Sequence, residues 1–500
     1  MNRVTVGPIR LVVDHRAPGV LGGPTLRVVR DQDGRELLRF DCFVQGAHWH
    51  LDPPGRDEIT QLPPSVDSLE WTLAELRANL AGYLDEAGFQ ASLDEGEVAS
   101  ALARIEPGLR NPPAQLDDLD VPLLRQRSGE KWALYPEDVL PLWVADMDFP
   151  VATPIQRLIR RGLDLGDLGY PLHPRPTGLP SVFTQRAEEH FGWSIDPQNL
   201  EPITEVVQGL YVALQQFTAE GEGVVVQTPI YPPFLTAVRE MRRTLVENPL
   251  VLADGGYSVD LDGLRDVVDE RTRVILLCNP HNPSGRVFRR EEIEGIAEVA
   301  LARDLVVVSD EIHADLVFPG PRHIPFASLS PEIEARTITL TSASKAFNIA
   351  GLRCAVAIFG SAELKRRFLE FPRHLRGGLG SLGIAASEVA WRHSQPWLDE
   401  VLAYLEANRQ LVAEFTAAQL PGVRHFRPEA TYLAWLDCRE VGLEPSPYQF
   451  FLSRAKVALS DGAAFGSPGR GFVRLNFATS RQILSEALER MAEALRQRPS

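Results

Sequence analysis

The distribution of apolar residues changes character twice along the chain. In the first 115 residues, segments 3–14, 25–31 and 36–45 are short and β-rich, and Asp33-Gly34 between the last two reads as a hairpin turn. Two stretches with helical apolar spacing come next, near 69–80 and 95–107. This predicts a small α+β module over 1–115. The Pro-rich, acidic stretch Arg110–Pro122 then reads as a linker. Beyond it, flat apolar runs alternate with helical stretches: Gly223–Gln227, Arg273–Cys278, Leu305–Ser309, Arg336–Thr341 and Cys354–Phe359. A run with no polar alternation suits a strand buried on both faces, so the pattern predicts an α/β fold: a mostly parallel sheet with helices on both sides. From about residue 380 the chain turns helical, with short strands near 431–437 and 472–477. The expected division is a large domain over 116–385 and a small α+β C-terminal lobe over 386–500.

Composition narrows the class of function. The chain has 500 residues, 44% hydrophobic and 24% charged, and a formal net charge of −16. An acidic chain argues against nucleic acid or an anionic membrane as partner. No stretch reaches the ~18 apolar residues of a membrane span, and the first residues show no signal-peptide pattern. The four scattered cysteines, Cys42, Cys278, Cys354 and Cys438, have no ligand spacing and read as reduced core thiols. The expected compartment is the cytoplasm.

In open α/β sheets ligands bind beyond the carboxyl ends of the strands, so the residues just after each buried run carry the chemistry. One run leads to Tyr231, the next to Asn282, the third to Asp310 and His313, the fourth to Ser342, Ser344 and Lys345. An aromatic ring, an amide, a carboxylate, hydroxyls and an amine thus gather at one sheet edge. That set suits pyridoxal 5′-phosphate (PLP). A carboxylate, Asp310, would keep the ring nitrogen protonated. Asn282 would donate to the phenolate oxygen, Tyr231 would stack on the ring, and Lys345 would bind the aldehyde as a Schiff base. Ser342, Ser344, Arg353 and the amides of a helix start at Gly209 and Leu210 would hold the phosphate. Plainer readings exist: a helix cap for Asp310, turn chemistry for Asn282, a core ring for Tyr231. For His313 a satisfied core histidine is as good a reading as a cofactor contact.

At these residues the chain, from about 120 to 497, resembles fold-type-I PLP enzymes of the class I/II aminotransferase superfamily. Within that superfamily it is most similar to the MalY/PatB group of carbon–sulfur β-lyases, often called cystathionine β-lyases. The matching stretches are 141–149, 229–234, 277–286, 309–315, 342–353 and 472–478, in the family's order. The resemblance implies that Arg474 binds the substrate α-carboxylate, and that Tyr170 reaches across a homodimer to the neighbour's phosphate. It implies a small amino-acid substrate, cystathionine or another cysteine S-conjugate, cleaved to a thiol, pyruvate and ammonia, with Lys345 as general base. An aminotransferase sharing the same early steps is the alternative. Val207 stands where relatives often carry Ser or Thr, and His313 where typical aminotransferases have Tyr; the lyases tend to have His.

The N-terminal module lies outside the resemblance. It holds 11 Arg and no Lys against 17 Asp plus Glu, and it begins with strands, so a DNA-binding role is rejected. His48-Trp-His50-Leu-Asp52 puts three potential ligands on one strand face. With no fourth ligand in the pattern, it reads as a polar sheet face and no metal is assigned.

Overall fold

The computed structural model describes residues 2–15, 23–43, 46–63, 65–111, 114, 116–171, 177–253 and 256–498. Positions 44 and 45 of one predicted strand, and Pro112, Pro113 and Gln115 of the predicted linker, lie outside them. The chain divides into two compact units. The first comprises Met1–Ala114, Ala152–Gly169 and Arg392–Trp397; the second comprises Gln115–Val151, Tyr170–Trp391 and Leu398–Ser500. The helix Thr153–Asp164 therefore falls in the first unit, although its place in the sequence put it in the large domain. Of its residues only Pro154 and Ile155 are buried, too few for a local pattern to say where it packs.

The first unit is a six-stranded antiparallel sheet in sequential order, Arg3–Val6, Ile9–His15, Pro24–Arg30, Glu36–Asp41, His48–Leu51 and Glu58–Gln61. The stretch read as one strand over 3–14 is a hairpin, turned at Gly7, whose φ of 51° suits a residue without Cβ. Helices Ser68–Glu86 and Glu95–Arg110 start at Asp67 and Asp94, whose carboxylates accept from free N–H groups of the first turn. Leu73, Leu76, Leu80, Leu102 and Ile105 form one core with Leu26, Val28, Leu38 and Phe40 of the sheet. Each fully buried side chain of this kind contributes roughly 2 kcal/mol.

The second unit is built on a seven-stranded sheet in the order Thr244–Glu247, Gly223–Val226, Thr272–Cys278, Val306–Asp310, Thr337–Thr341, Ala355–Phe359, Leu200–Ile203. Only Ala355–Phe359 runs antiparallel to its neighbours. Alternate residues of one strand enter different cores. Val274, Leu276 and Cys278 join Leu210, Leu214 and Phe234 on one side, and Ile275 and Leu277 join Ile293 and Ile296 on the other. Burial on both faces is why these strands lack polar alternation. The five predicted runs are the five inner strands of this sheet, within one or two residues. The two edge strands, Thr244–Glu247 and Leu200–Ile203, were not predicted, because both are partly exposed and the second carries a proline. A smaller four-stranded sheet, Arg424–His425, Leu433–Asp437, Phe472–Asn476 and Ser460–Asp461, comes after the helices Ser381–His393 and Gln395–Gln419. No helix among the described residues is long and apolar enough to cross a membrane.

Candidate active site

The parallel strands of the large sheet end together, and a cavity of about 700 Å³ opens there. Asp310 is the last residue of its strand and is paired in register with Cys278, the last residue of the next. The chain beyond Cys278 turns at once, and the Asn279 N–H donates to the Asp310 carbonyl at 3.0 Å. Tyr231 and Asn282 are likewise tied together, the Tyr231 N–H donating to the Asn282 carbonyl at 3.1 Å. Hydrogen bonds at strand ends therefore position the aromatic ring, the amide and the carboxylate.

The Asp310 carboxyl is buried, and one oxygen accepts from the Ile312 N–H at 3.0 Å. Burial, reinforced by the neighbouring Glu311 carboxylate, raises its pKa to about 7. Lys345 projects from the loop after Thr337–Thr341. Its Nζ donates to the Ala145 carbonyl at 2.7 Å and lies 3.7 Å from the Asp146 carboxylate. Burial lowers its pKa, an effect only partly offset by Asp146. His313 is pushed down to about 3, first by burial and then by Lys345 and Arg474, so its ring is neutral at physiological pH. It meets Tyr432 edge to face at 6.3 Å, and its Nδ1 has no hydrogen-bond partner.

Arg474, on the strand Phe472–Asn476, enters the same cavity. Its guanidinium donates to Asn282 Oδ1 at 2.9 Å, to the Trp143 carbonyl at 3.1 Å and to Ser460 Oγ at 3.1 Å. All three acceptors are neutral. The side chain is 4% exposed, and burial pulls its pKa down to about 10, which leaves it charged. A buried cation with no acid among its hydrogen-bond acceptors is arranged to receive an anion.

Nine predicted residues line this cavity: Tyr231, Asn282, Asp310, His313, Ser342, Ser344, Lys345, Arg353 and Arg474. Gly209 and Leu210 do not. The helix starts at Val206, so the Gly209 N–H is used within it, donating to the Glu205 carbonyl at 3.1 Å. Leu210 is fully buried in the core. The amides free of intrahelical acceptors belong instead to the first turn, where Val206 and Val207 line the cavity. Gly209 packs closely: a Cβ there would sit 3.0 Å from Ile203 and Leu340 side-chain atoms. Ser342 lines the cavity, but its hydroxyl proton is engaged with the Cys354 carbonyl at 2.6 Å. Arg353 pairs with Glu205 at 2.9 Å. Tyr170 is fully exposed and borders a different groove, which also holds Arg373 and Arg376.

Four residues had no role assigned from sequence. Tyr432 donates to the Ala145 carbonyl at 2.9 Å, the acceptor Lys345 also uses. Ser460 orients Arg474. Asn476 holds the backbone at Val144 and Asp146, 2.7 Å from each carbonyl. Thr204 borders both this cavity and the neighbouring groove, and its unpaired hydroxyl lies against Gly377 of that groove. Of the four, only Asn476 fell within a stretch matched from sequence, 472–478; the carbonyls it holds lie in another, 141–149. The first-turn amides, the buried Asp310 and Arg474 and the half-buried Lys345 together fit the donors and charges that PLP and an amino-acid carboxylate require.

Comparison with known proteins bears on the same region. The family model described as "Aminotransferase class I and II" matches residues 138–491. A second, described as a domain of unknown function (DUF7700), matches residues 3–108. The protein named cystathionine beta-lyase PatB, from Bacillus subtilis (strain 168), is 38% identical over 74% of this chain and 95% of its own length. Among solved structures, OvoB is 39% identical, with a TM-score of 0.73 over 78% of this chain and all of that one. Cystalysin from Treponema denticola, solved with pyridoxal 5′-phosphate, is 31% identical. Its TM-score is 0.71 over 74% of this chain and 97% of its own.

Proposed function

We propose that this chain, which belongs to the aminotransferase class I and II family, is a PLP-dependent carbon–sulfur β-lyase. Its substrate is cystathionine or a related cysteine S-conjugate, and its products are a thiol, pyruvate and ammonia. The observation that carries the reading is one cavity holding a desolvated lysine, a buried carboxyl and a buried arginine without an acidic acceptor, in a chain 38% identical to a named cystathionine β-lyase.

When bound, the cofactor supplies an electron sink for negative charge at the substrate Cα. Lys345 would bind it covalently, with Tyr231 against its ring and Asn282 at its phenolate oxygen. Asp310 would pair with its ring nitrogen; a carboxyl poised near pH 7 ionises readily once a cationic N–H stands beside it. Ser344, Arg353 and the first-turn amides of Val206 and Val207 would hold its phosphate. Arg474 grips the substrate α-carboxylate by its two-pronged guanidinium. That grip fixes which Cα substituent faces the Lys345 amine. Burial lowers the pKa of that amine, which favours the unprotonated form that removal of the Cα proton requires. The sulfur then departs from Cβ as a thiolate.

The same reading makes the enzyme a homodimer with shared active sites, to which the fully exposed Tyr170 contributes across the interface. Residues 116–385 would carry the cofactor, 386–500 would supply Arg474, and 1–115 would stand as a separate module. A cytoplasmic setting is supported by four free, buried cysteines.

The test is absorbance from 300 to 500 nm before and after cystathionine, with thiol and pyruvate assayed in the same cuvette. Both products without any oxo acid support the lyase. Turnover that stalls until an oxo acid is added makes the chain an aminotransferase. A protein that stays colourless with PLP overturns the reading.

A further inference from the structure

The N-terminal sheet carries a side-chain cluster that the proposed reaction does not use. Across the antiparallel strands Glu36–Asp41 and His48–Leu51, register sets Arg39 opposite His50 and Asp41 opposite His48. The two-residue period therefore puts all four side chains on one face. His48 Nε2 lies 3.3 Å, and His50 Nε2 3.4 Å, from the same atom, Asp41 Oδ2. Asp52, the third ligand suggested by the sequence pattern, is elsewhere, paired with Arg35 at 2.7 Å.

The tautomers are set by the partners. His48 Nδ1 is 2.7 Å from the Gly46 carbonyl, and His50 Nδ1 is 2.6 Å from the Asp57 carboxylate. Both oxygens only accept, so each Nδ1 donates, and each ring directs its Nε2 toward Asp41. Thr25 Oγ1 donates to the other carboxylate oxygen, Oδ1, at 2.7 Å, leaving Oδ2 to face the rings. The three ligand atoms lie within 4.8 Å of one another. Two of the edges match the ~3.4 Å edge of a tetrahedron with bonds of ~2.1 Å. A histidine whose far nitrogen donates to a carboxylate or carbonyl is the usual outer support of a metal ligand. The Asp41 side chain is fully buried and that of His50 nearly so, while His48 is 20% exposed and gives access.

One cation already reaches this point. Arg39 Nε donates to Asp41 Oδ2 at 3.1 Å, and Nη2 lies 2.5 Å from His50 Nε2. Its Nη1 lies 3.5 Å from Glu36, a partner that remains if the guanidinium swings away. Arginine and a metal ion would thus compete for the same lone pairs.

We propose that Asp41, His48 and His50 bind one divalent first-row transition ion of the Zn²⁺ class, with open positions beyond the three protein ligands, and that Arg39 is a built-in competitor. Two imidazoles and one carboxylate suit such an ion far better than Mg²⁺ or Ca²⁺, which take mostly oxygen ligands.

The test is calorimetric titration of chelator-treated full-length protein with Zn²⁺ alone, and a parallel Co²⁺ titration followed by visible absorption. The expected result is saturable binding of one ion per chain. His48→Gln and Asp41→Asn each weaken it at least tenfold, and Arg39→Ala tightens it. Circular dichroism checks folding; should Asp41→Asn fail to fold, the partly exposed His48→Gln decides alone. Absence of saturable Zn²⁺ binding by the wild type, or an affinity unchanged in His48→Gln, overturns the proposal.

Discussion

Arg474→Gln is the sharpest probe of the substrate site. Arg474 is 4% exposed, donates to three neutral acceptors and, with a pKa of about 10, stays charged when buried. A substrate carboxylate would complete the pair. Removing one partner of a buried charge pair costs ~3–5 kcal/mol, which corresponds to ~10²–10⁴ in binding or kcat/KM. The assay compares two ligands, an S-alkylcysteine and the S-alkylcysteamine that lacks the carboxylate, each titrated by its change in cofactor absorbance. The wild type should prefer the carboxylate ligand by ~10²–10⁴. In Arg474→Gln that preference should collapse, with little change for the cysteamine. The cofactor-free variant should not melt below the wild type, since an unneutralised buried charge has been removed. If both ligands lose affinity equally, Arg474 is a structural prop and the carboxylate argument fails.

Four further outcomes are expected. Lys345→Arg should give no thiol or pyruvate above background, because an always-charged guanidinium can neither bind the aldehyde nor take the Cα proton; residual turnover near wild type would remove Lys345 from the mechanism. Asp310 should weigh on cofactor-free stability through pH: its folded pKa of about 7 against 3.8 means the neutral form is favoured, so its stabilisation is complete below about pH 4 and lost as pH rises through 7, up to about 4 kcal/mol. Urea unfolding of wild type and Asp310→Asn at pH 5 and pH 8 measures this, and a difference independent of pH contradicts it. Glu205→Gln should tighten cofactor binding ~2–5-fold by freeing Arg353 and removing a like charge beside the phosphate. The size is small because the Arg353–Glu205 pair is more than a third exposed on both sides. High salt should shrink the gap, and weaker binding would mean that Glu205 orients Arg353. Finally, inactive Tyr170→Phe and Lys345→Ala chains should regain part of the activity when mixed, since a shared-site dimer then assembles one intact site. No recovery after verified subunit exchange would place Tyr170 outside the active site.

The sequence by itself determined the features that depend on short-range pattern. Flat apolar runs marked the five inner strands of the large sheet, because a strand buried on both faces has no room for polar positions. Asp33-Gly34 gave a hairpin, and helical spacing gave the two module helices. The chemistry at four strand ends gave seven of the nine predicted residues that line one cavity; Arg353 came from the loop beyond the fourth, and Arg474 from the family resemblance. Where burial is partial the pattern fades. Glu58–Gln61 is exposed at every position, and the two edge strands of the large sheet carry polar residues, so only hydrogen bonding to a neighbour reveals them. Local pattern also placed the phosphate helix too late, at Gly209 instead of Val206.

Tertiary structure decided the features that depend on residues far apart in the chain. That Arg474 meets Asn282, 192 residues away, and finds no acid, that Glu205 claims Arg353, and that Asp41 and not Asp52 joins His48 and His50 are matters of strand register and loop approach. A one-residue change in register would send Asp41 to the other face of its sheet. A sequence lists the donors; the pairing of strands fixes which of them share a point in space.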